Sequence, residues 1–360
     1  MRLPNGAVSH VLILEKNPTG HRLYYARILA NGAATAGHRV TLVLSSGAAQ
    51  SPELSIHLSG LDERVERVYN LDFTYGGVVE LSHRLDATLT VISDGDSMAV
   101  DVGRRARWSG QGVLSVLVMR ESAQPTRVPG LMRVKTHLKQ ALLRRARSVP
   151  GVRVTVLKGA LWRGKSKFAV ARDPVTLETT PDLVQSVRSR WGLSDDIYWF
   201  GVLGAISERK NLALIADALT ALNKPGMGLL VAGTCDPCTM RGAYESLESL
   251  RQTGVPVVIV DRLLEDWELD SAVAAIDAVV LAHSNEGPSG LFGKAVAAGT
   301  RIVAAGARSL KKDAAGISTL AIWSPLKIAP LSACLKQTLL ESPGVGQPDL
   351  GPEEFVRALL

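Results

Sequence analysis

Short, unbroken apolar runs alternate with segments of helical spacing along most of this chain, and that alternation leaves few folds open. His10-Val-Leu-Ile-Leu14 is a strand candidate with no polar face to turn toward water. Residues 22–36 follow, with Leu23, Ala26, Ala30 and Ala33 on one helical face. Gly37-His38 closes that helix, and Arg39-Val-Thr-Leu-Val-Leu44 is the next strand. Residues 65–69, 88–92, 113–119 and 152–157 are further strand candidates, with helical segments among the intervals. A strand that is apolar at every position is buried on both faces, so the pattern predicts parallel sheets covered by helices on both sides.

The pattern breaks once. Trp162-Arg-Gly-Lys-Ser-Lys167 is polar and basic, and Phe168-Ala-Val-Ala-Arg-Asp-Pro174 reads as a linker into a new domain. The alternation then restarts: strand 198–203, helix 212–222, strand 228–232, helix 242–252, strand 255–260, helix 265–275, strand 278–282. A length of 360 residues also favours two domains. The expectation is two Rossmann-like, doubly wound α/β domains, 1–165 and 166–340, followed by a tail, 341–360. Ligands in such sheets bind beyond the carboxyl ends of the strands, so a central cleft between facing domains is the expected site.

Ala278-Val-Val-Leu-Ala282 leads into Ser284-Asn-Glu-Gly-Pro-Ser-Gly-Leu-Phe-Gly-Lys-Ala-Val-Ala-Ala-Gly299, and Arg301-Ile-Val-Ala-Ala305 follows. This is a strand, a glycine-rich loop, a small-residue helix and a second strand, with Glu286 at the first strand's exit. Backbone N–H groups that open such a helix bind phosphate. A carboxylate beside them accepts hydrogen bonds from sugar hydroxyls. Together they describe a pocket for a nucleotide-activated sugar.

Composition narrows the partners. No apolar stretch approaches the roughly 20 residues of a membrane span. The first residues, Met1-Arg-Leu-Pro-Asn-Gly, lack a signal-peptide apolar region, and Cys235, Cys238 and Cys334 are few and odd in number. A cytoplasmic setting is expected, with or without peripheral contact at the inner face of a membrane. Cys235-Asp-Pro-Cys238 has no second ligand pair, so a loop is expected there, not a metal site. Net charge is +7, and the stretch from Arg133 to Arg147 holds six Lys and Arg and no acid. Its apolar stripe, Val134, Leu138, Ala141 and Leu142, either covers the sheet or meets an anionic membrane or charged saccharide; sheet covering is the expectation. Aromatic residues do not interleave with this patch, so no nucleic-acid partner is expected.

Several segments together resemble a known family. Phe200-Gly-Val-Leu-Gly-Ala-Ile-Ser-Glu-Arg-Lys-Asn211 is similar to the "G-R-x…K-G" segment of the retaining, family 4-like GT-B glycosyltransferases, the group with an E-x7-E motif. Leu229-Leu-Val-Ala-Gly-Thr234 resembles its "L-x-I-x-G-x-G". Val260-Asp-Arg-Leu-Leu-Glu-Asp-Trp-Glu-Leu269 resembles "G-x-V-x-x-E-E-L". Residues 278–299 resemble "D-V-x-V-x-P-S-x-x-E-G-x-G-x-x-x-x-E-A-M-A-x-G". In the first half the likeness is carried by Gly20 and Ala36-Gly-His-Arg-Val-Thr41.

The resemblance implies an acceptor-side first domain, a donor-binding second domain and a C-terminal tail that crosses back. It implies transfer of a hexose-like unit from a nucleotide diphosphate sugar to a saccharide or lipid-linked acceptor, without metal or other cofactor. Lys210 would bind the donor diphosphate, Glu286 the sugar hydroxyls, and the N–H groups around Ser289, Gly290 and Leu291 the phosphates. Gly20, Gly204 and Gly233 would let backbone approach the donor, and Arg262 and Leu263 lie where the nucleobase is held. Two positions depart from the pattern. The arginine after the first motif's glycine is Ala205, for which Arg209 can substitute. The second glutamate of E-x7-E falls on Lys294, which cannot accept hydrogen bonds from a ribose. A lysine early in a helix opposes the helix dipole, so an anion is expected beside it, either the donor diphosphate or Glu286.

The remaining candidates keep two readings each. Asp94-Gly-Asp96 ends a strand: an aspartate there orients an acceptor hydroxyl, or Asp96 and Ser97 cap the following helix. His21, beside Gly20, serves a phosphate or an acceptor proton, or is structural. Arg120-Glu121 opens a loop that borders an acceptor or is only a surface excursion. A non-catalytic GT-B-fold binding or scaffold protein is the alternative to the enzyme. A nucleotide-dependent oxidoreductase is disfavoured by the missing G-x-G-x-x-G.

Overall fold

The computed structural model describes residues 9–18, 22–69, 73–122, 129–287, 289–340, 345–346 and 351–360. The chain divides into two compact units. The first holds residues up to Lys158, Arg163–Arg172 and Pro352–Leu360, and the second holds Gly159–Trp162 and Asp173–Gly351.

Among the described residues the first unit has a seven-stranded sheet: β1 (His10–Glu15), β2 (Arg39–Leu44), β3 (Glu66–Tyr69), β4 (Leu89–Ile92), β5 (Val113–Val118), β6 (Val152–Lys158) and β7 (Ala169–Arg172). The order is β3-β2-β1-β4-β5-β6-β7, with every pair parallel. Its helices are α1 (Arg22–Thr35), α2 (Pro52–His57), α3 (Tyr75–Arg84), α4 (Asp96–Arg105) and α5 (Pro129–Arg147). Alternate residues of a strand point to opposite faces. Val11 and Ile13 of β1 therefore pack with Leu23, Ala26 and Leu29 of α1, while Leu12 and Leu14 pack with Val78 of α3 and Val102 of α4.

The stretch 168–174, expected to be a linker, is largely strand β7. Val170 and Ala171 pair with Val156 and Leu157 of β6, which keeps this stretch in the first sheet. The apolar stripe of α5 is also not the face that covers the sheet. Leu143 and Ala146 are buried there, whereas Val134 and Leu138 face solvent.

The second unit contains α6 (Pro181–Trp191), β8 (Tyr198–Leu203), α7 (Leu212–Leu222), β9 (Met227–Gly233), α8 (Pro237–Gln252), β10 (Val257–Asp261) and α9 (Asp266–Ala275). It continues with β11 (Ala278–His283), α10 (Gly290–Ala298), β12 (Arg301–Gly306), α11 (Arg308–Ala315), β13 (Ala321–Ser324) and α12 (Ile328–Thr338). The parallel order is β10-β9-β8-β11-β12-β13, with Phe200, Val202 and Val231 on one face and Trp199, Val279 and Ile302 on the other. Helix α8 starts five residues before the expected Gly242, because the Asp236 side chain accepts from the Thr239 N–H and Pro237 fits the first helical position. The CxxC segment is thus a helix start, with Cys235 buried and Cys238 exposed.

The last helix, α13 (Pro352–Leu359), belongs to the first unit. Phe355 and Leu359 are fully buried in its core, and the Phe355 ring lies 5.2 Å from that of Tyr25.

Candidate functional site

The second unit reverses its strand order between β8 and β11, the place where open α/β sheets bind ligands. Gly204 (φ 79°) follows β8 and Gly233 (φ 131°) closes β9, both in the left-handed region. A Cβ on Gly233 would run into the Gly204 carbonyl, so the two strand exits pass in contact only because residue 233 is glycine. A 3-10 turn, Glu208–Lys210, then directs Lys210 inward. Its ammonium is buried and donates to the Leu203 carbonyl. Among the described residues no carboxylate pairs with it. Burial, followed by the neighbouring Arg209 charge, pulls its pKa down to about 7.

His283, the last residue of β11, stands in the same field. Burial first, and then the charges of Lys210 and Arg209, push its pKa down to about 3, so the imidazole is neutral. Among the described residues its buried Nε2 has no hydrogen-bond partner. The Ser284 N–H donates to the Arg209 carbonyl at 3.0 Å, and the Asn211 amide donates to Ala282 at 2.9 Å, which locks the 3-10 turn onto the exit of β11. Sequence reading missed His283; its signal was a polar residue closing an apolar strand immediately before the glycine-rich loop.

Helix α10 begins beside this cluster. A Cβ on Gly204 would sit 3.6 Å from Lys210 Nζ and 3.7 Å from Leu291 Cδ1, so the three residues adjoin. Among the described residues the Ser289 side chain makes no capping hydrogen bond, and the opening N–H groups of a helix, here those of Gly290 and Leu291, have no partner within it. Buried cation, neutral imidazole and helix N-terminus together favour an anion.

Glu286 is exposed, and its two carboxylate oxygens accept from the backbone N–H groups of Arg308 (2.9 Å) and Ser309 (3.0 Å), which open α11. Ser309 Oγ also donates to the Gly287 carbonyl at 2.9 Å. The carboxylate is thus fixed at a second helix N-terminus, with lone pairs left over for other donors.

Lys294 departs from expectation. It lies in the second turn of α10, and its anion is neither a ligand nor Glu286. The ammonium pairs with the fully buried Asp270 of α9 and donates to the Thr176 carbonyl at 3.1 Å. Asp270 also accepts from the Glu178 N–H at 2.7 Å. Burial raises the Asp270 pKa, while Lys294 pulls it back. The charge the helix dipole disfavours is therefore balanced inside the unit. Arg262 is likewise engaged, giving two hydrogen bonds to Glu268 at 2.7 and 2.6 Å and one to the Leu263 carbonyl at 3.2 Å. Glu268 is buried and also receives Arg190 at 2.9 Å.

In the first unit, polar groups gather at the carboxyl ends of β1 and β4, again where strand order reverses. Asp94 pairs with Arg22 Nε at 2.8 Å. Glu15 is buried, accepting from Ser93 Oγ and the Asn17 N–H, each at 2.8 Å, and burial raises its pKa to about 7. Asp96 is not the helix cap: α4 begins with it, its carboxylate accepts from the Met119 N–H at 2.6 Å, and it pairs with Lys139. Glu121 pairs with Lys158. Gly20 and His21 lie outside the described residues. Among the described residues no group of His, Cys, Asp or Glu is arranged to hold a metal ion.

No family model matches this chain, and no curated protein matches it in sequence. Solved structures do match its fold. HepE of Anabaena, in a complex with UDP, aligns with a TM-score of 0.66 at 14% identity, covering 97% of this chain and 93% of its own. Sucrose-phosphate synthase from Thermosynechococcus elongatus aligns at 0.67 and 15% identity, covering 98% and 94%. A glycosyltransferase from Rickettsia africae aligns at 0.67 and 10% identity, covering 98% and 92%. At such identities the likeness establishes the fold, the paired Rossmann-like arrangement termed GT-B.

Proposed function

We propose that this chain is a glycosyltransferase that moves a sugar from a nucleotide diphosphate sugar to a saccharide or lipid-linked acceptor, with retention and without a metal. The reading is carried by one observation: Lys210 is buried without a carboxylate partner among the described residues, next to Gly204, Leu291 and the neutral His283. A buried cation without a counter-ion is costly in an empty site and is relieved by an anionic ligand.

In this reading the donor diphosphate lies over Gly204 and Gly233, receiving hydrogen bonds from Lys210 and from the N–H groups of Gly290 and Leu291, with Arg209 adding charge. The bond between the anomeric carbon and the phosphate oxygen breaks, and its electron pair leaves with the diphosphate. Fixed donors stabilise that charge as it develops. The acceptor hydroxyl attacks from the same face, and the departing phosphate takes its proton. Glu286, fixed by α11, holds sugar hydroxyls. The first unit takes the acceptor at the carboxyl ends of β1 and β4. The UDP and UDP-glucose held by HepE support uridine donors as the first to try. Three unpaired cysteines support a reducing, cytoplasmic setting.

Titrating nucleoside diphosphates and their nucleosides into the protein and into Lys210→Ala tests the assignment. The variant is expected to lose at least about tenfold in diphosphate affinity, as a charge-assisted contact of 1.5–3 kcal/mol implies, with nucleoside affinity unchanged. Equal losses for both ligands, or no diphosphate binding at all, would overturn it. The second reading, a GT-B-fold module that binds nucleotide without transfer, rests on Lys294, which stands in the place of the second motif glutamate and turns inward to Asp270. Release of nucleoside diphosphate from a donor sugar in the presence of acceptor separates the two.

A further inference from the structure

We propose that the outer face of α5 is a docking surface for an anionic lipid bilayer. The proposal stands on this helix alone and holds whatever the second unit binds. α5 packs inward through Leu143 and Ala146, and Lys139 is anchored by Asp96 and by the Arg120 carbonyl. Val134, Leu138 and Ala141, spaced i, i+4 and i+7, lie on the opposite face and are exposed. Val134 is 65% and Leu138 60% accessible, and Met132 in the first turn is exposed too.

The charge around this stripe has one sign. Arg133, Lys135, Arg144 and Arg145 are exposed, and the 19 residues of α5 include no Asp or Glu. Among the described residues none of these four cations forms an ion pair. An apolar stripe flanked by Lys and Arg is the order of a helix that lies in a membrane interface. Apolar side chains enter the boundary between headgroups and acyl chains, and the cations reach lipid phosphates. A polynucleotide would satisfy the cations but leave Val134 and Leu138 in water, and α5 carries no Phe, Tyr or Trp on which a base could stack. No helix among the described residues is long and apolar enough to cross a membrane, so the contact is peripheral.

The test is sedimentation of the full chain with vesicles of phosphatidylcholine, alone or mixed with phosphatidylglycerol, at low and high salt. The protein is expected to pellet with the mixed vesicles at low salt, to be released by salt, and to stay in solution with phosphatidylcholine alone. Arg144→Gln with Arg145→Gln is expected to lower the partition by about fivefold per cation. Val134→Ser with Leu138→Ser keeps every charge and removes the apolar stripe; it is expected to lower the partition about tenfold or more while retaining normal affinity for heparin. These side chains are exposed, and thermal melting checks that each variant is folded. Absence of pelleting at low salt would overturn the proposal. So would a serine variant that pellets as well as the unmodified protein, because the helix would then be a general polyanion surface of the kind a nucleic acid uses.

Discussion

At the residue scale, two buried lysines in the second unit have opposite chemistry. Lys294 is balanced by Asp270. Removing one partner of a buried ion pair strands the other charge, at a cost of about 3–5 kcal/mol. Lys294→Met should lose that much stability in urea unfolding, and adding Asp270→Asn should recover most of it, since Asn still accepts from the Glu178 N–H. Lys294→Glu should be worse than Lys294→Met, because it sets a second carboxylate against Asp270. Full stability of Lys294→Glu would show that the pair is not what holds this lysine. Among the described residues Lys210 has no carboxylate to balance it, and its pKa falls from an ordinary 10.5 to about 7. Between those values the unfolded chain carries the extra proton. Stability from this group therefore rises with pH across the window, by up to about 1.4 kcal/mol per pH unit, and the full burial penalty stands below it. A bound diphosphate favours the charged lysine, so UDP binding should take up a proton above pH 7 and weaken as pH rises. Calorimetry in buffers of differing ionisation enthalpy reads this directly. Lys210→Met should abolish the proton uptake and leave the fold at least as stable. UDP affinity that is flat through the neutral range would place the diphosphate elsewhere.

At the element scale, two helix N-termini serve one loop in different ways. That of α11 is occupied by Glu286, whereas that of α10 lacks a side-chain cap beside Lys210 and Gly204. A loop pinned by one helix start can present the other to a ligand without ordering itself on binding. The C-terminal helix α13 is structural in a plainer sense. Phe355 is fully buried against Tyr25 of α1, and deleting a buried phenylalanine ring costs about 3–5 kcal/mol. In Phe355→Ala, amide exchange should accelerate in α1 and in β5 to β7, with α7 to α12 unchanged. Uniform acceleration across both units would mean that α13 does more than complete the core of the first.

At the scale of the whole molecule, each unit has its own sheet, buried on both faces, and each gathers polar groups where strand order reverses: β1 and β4 in the first, β8 and β11 in the second. This division predicts where a nucleotide acts. UDP at about 100 times its dissociation constant should stabilise the protein by about 2.7 kcal/mol. The accompanying protection from hydrogen exchange should centre on residues 203–211 and 283–291. Protection centred instead on the carboxyl ends of the first sheet would reassign the donor site to that unit.

The apolar runs by themselves determined most of the strands and their parallel, doubly wound character, because a strand buried on both faces leaves its mark at every position. The glycine-rich loop after β11 and the basic pair before α7 were legible for the same reason: their chemistry lies in contiguous residues. Tertiary structure alone decided the rest. Residues 168–174 look like a linker locally, and only the open edge of β6 makes them a strand. The stripe on α5 has the period of a covering face, but periodicity does not say which side meets the sheet; Leu143 and Ala146 fill that place. The anion for Lys294 and the helix held by Glu286 come from elements distant in sequence. His283 is unremarkable as a residue and matters only because two cations and a closed interior surround it. Spacing along a chain records what a segment can bury, whereas charge compensation depends on which segments the fold brings together.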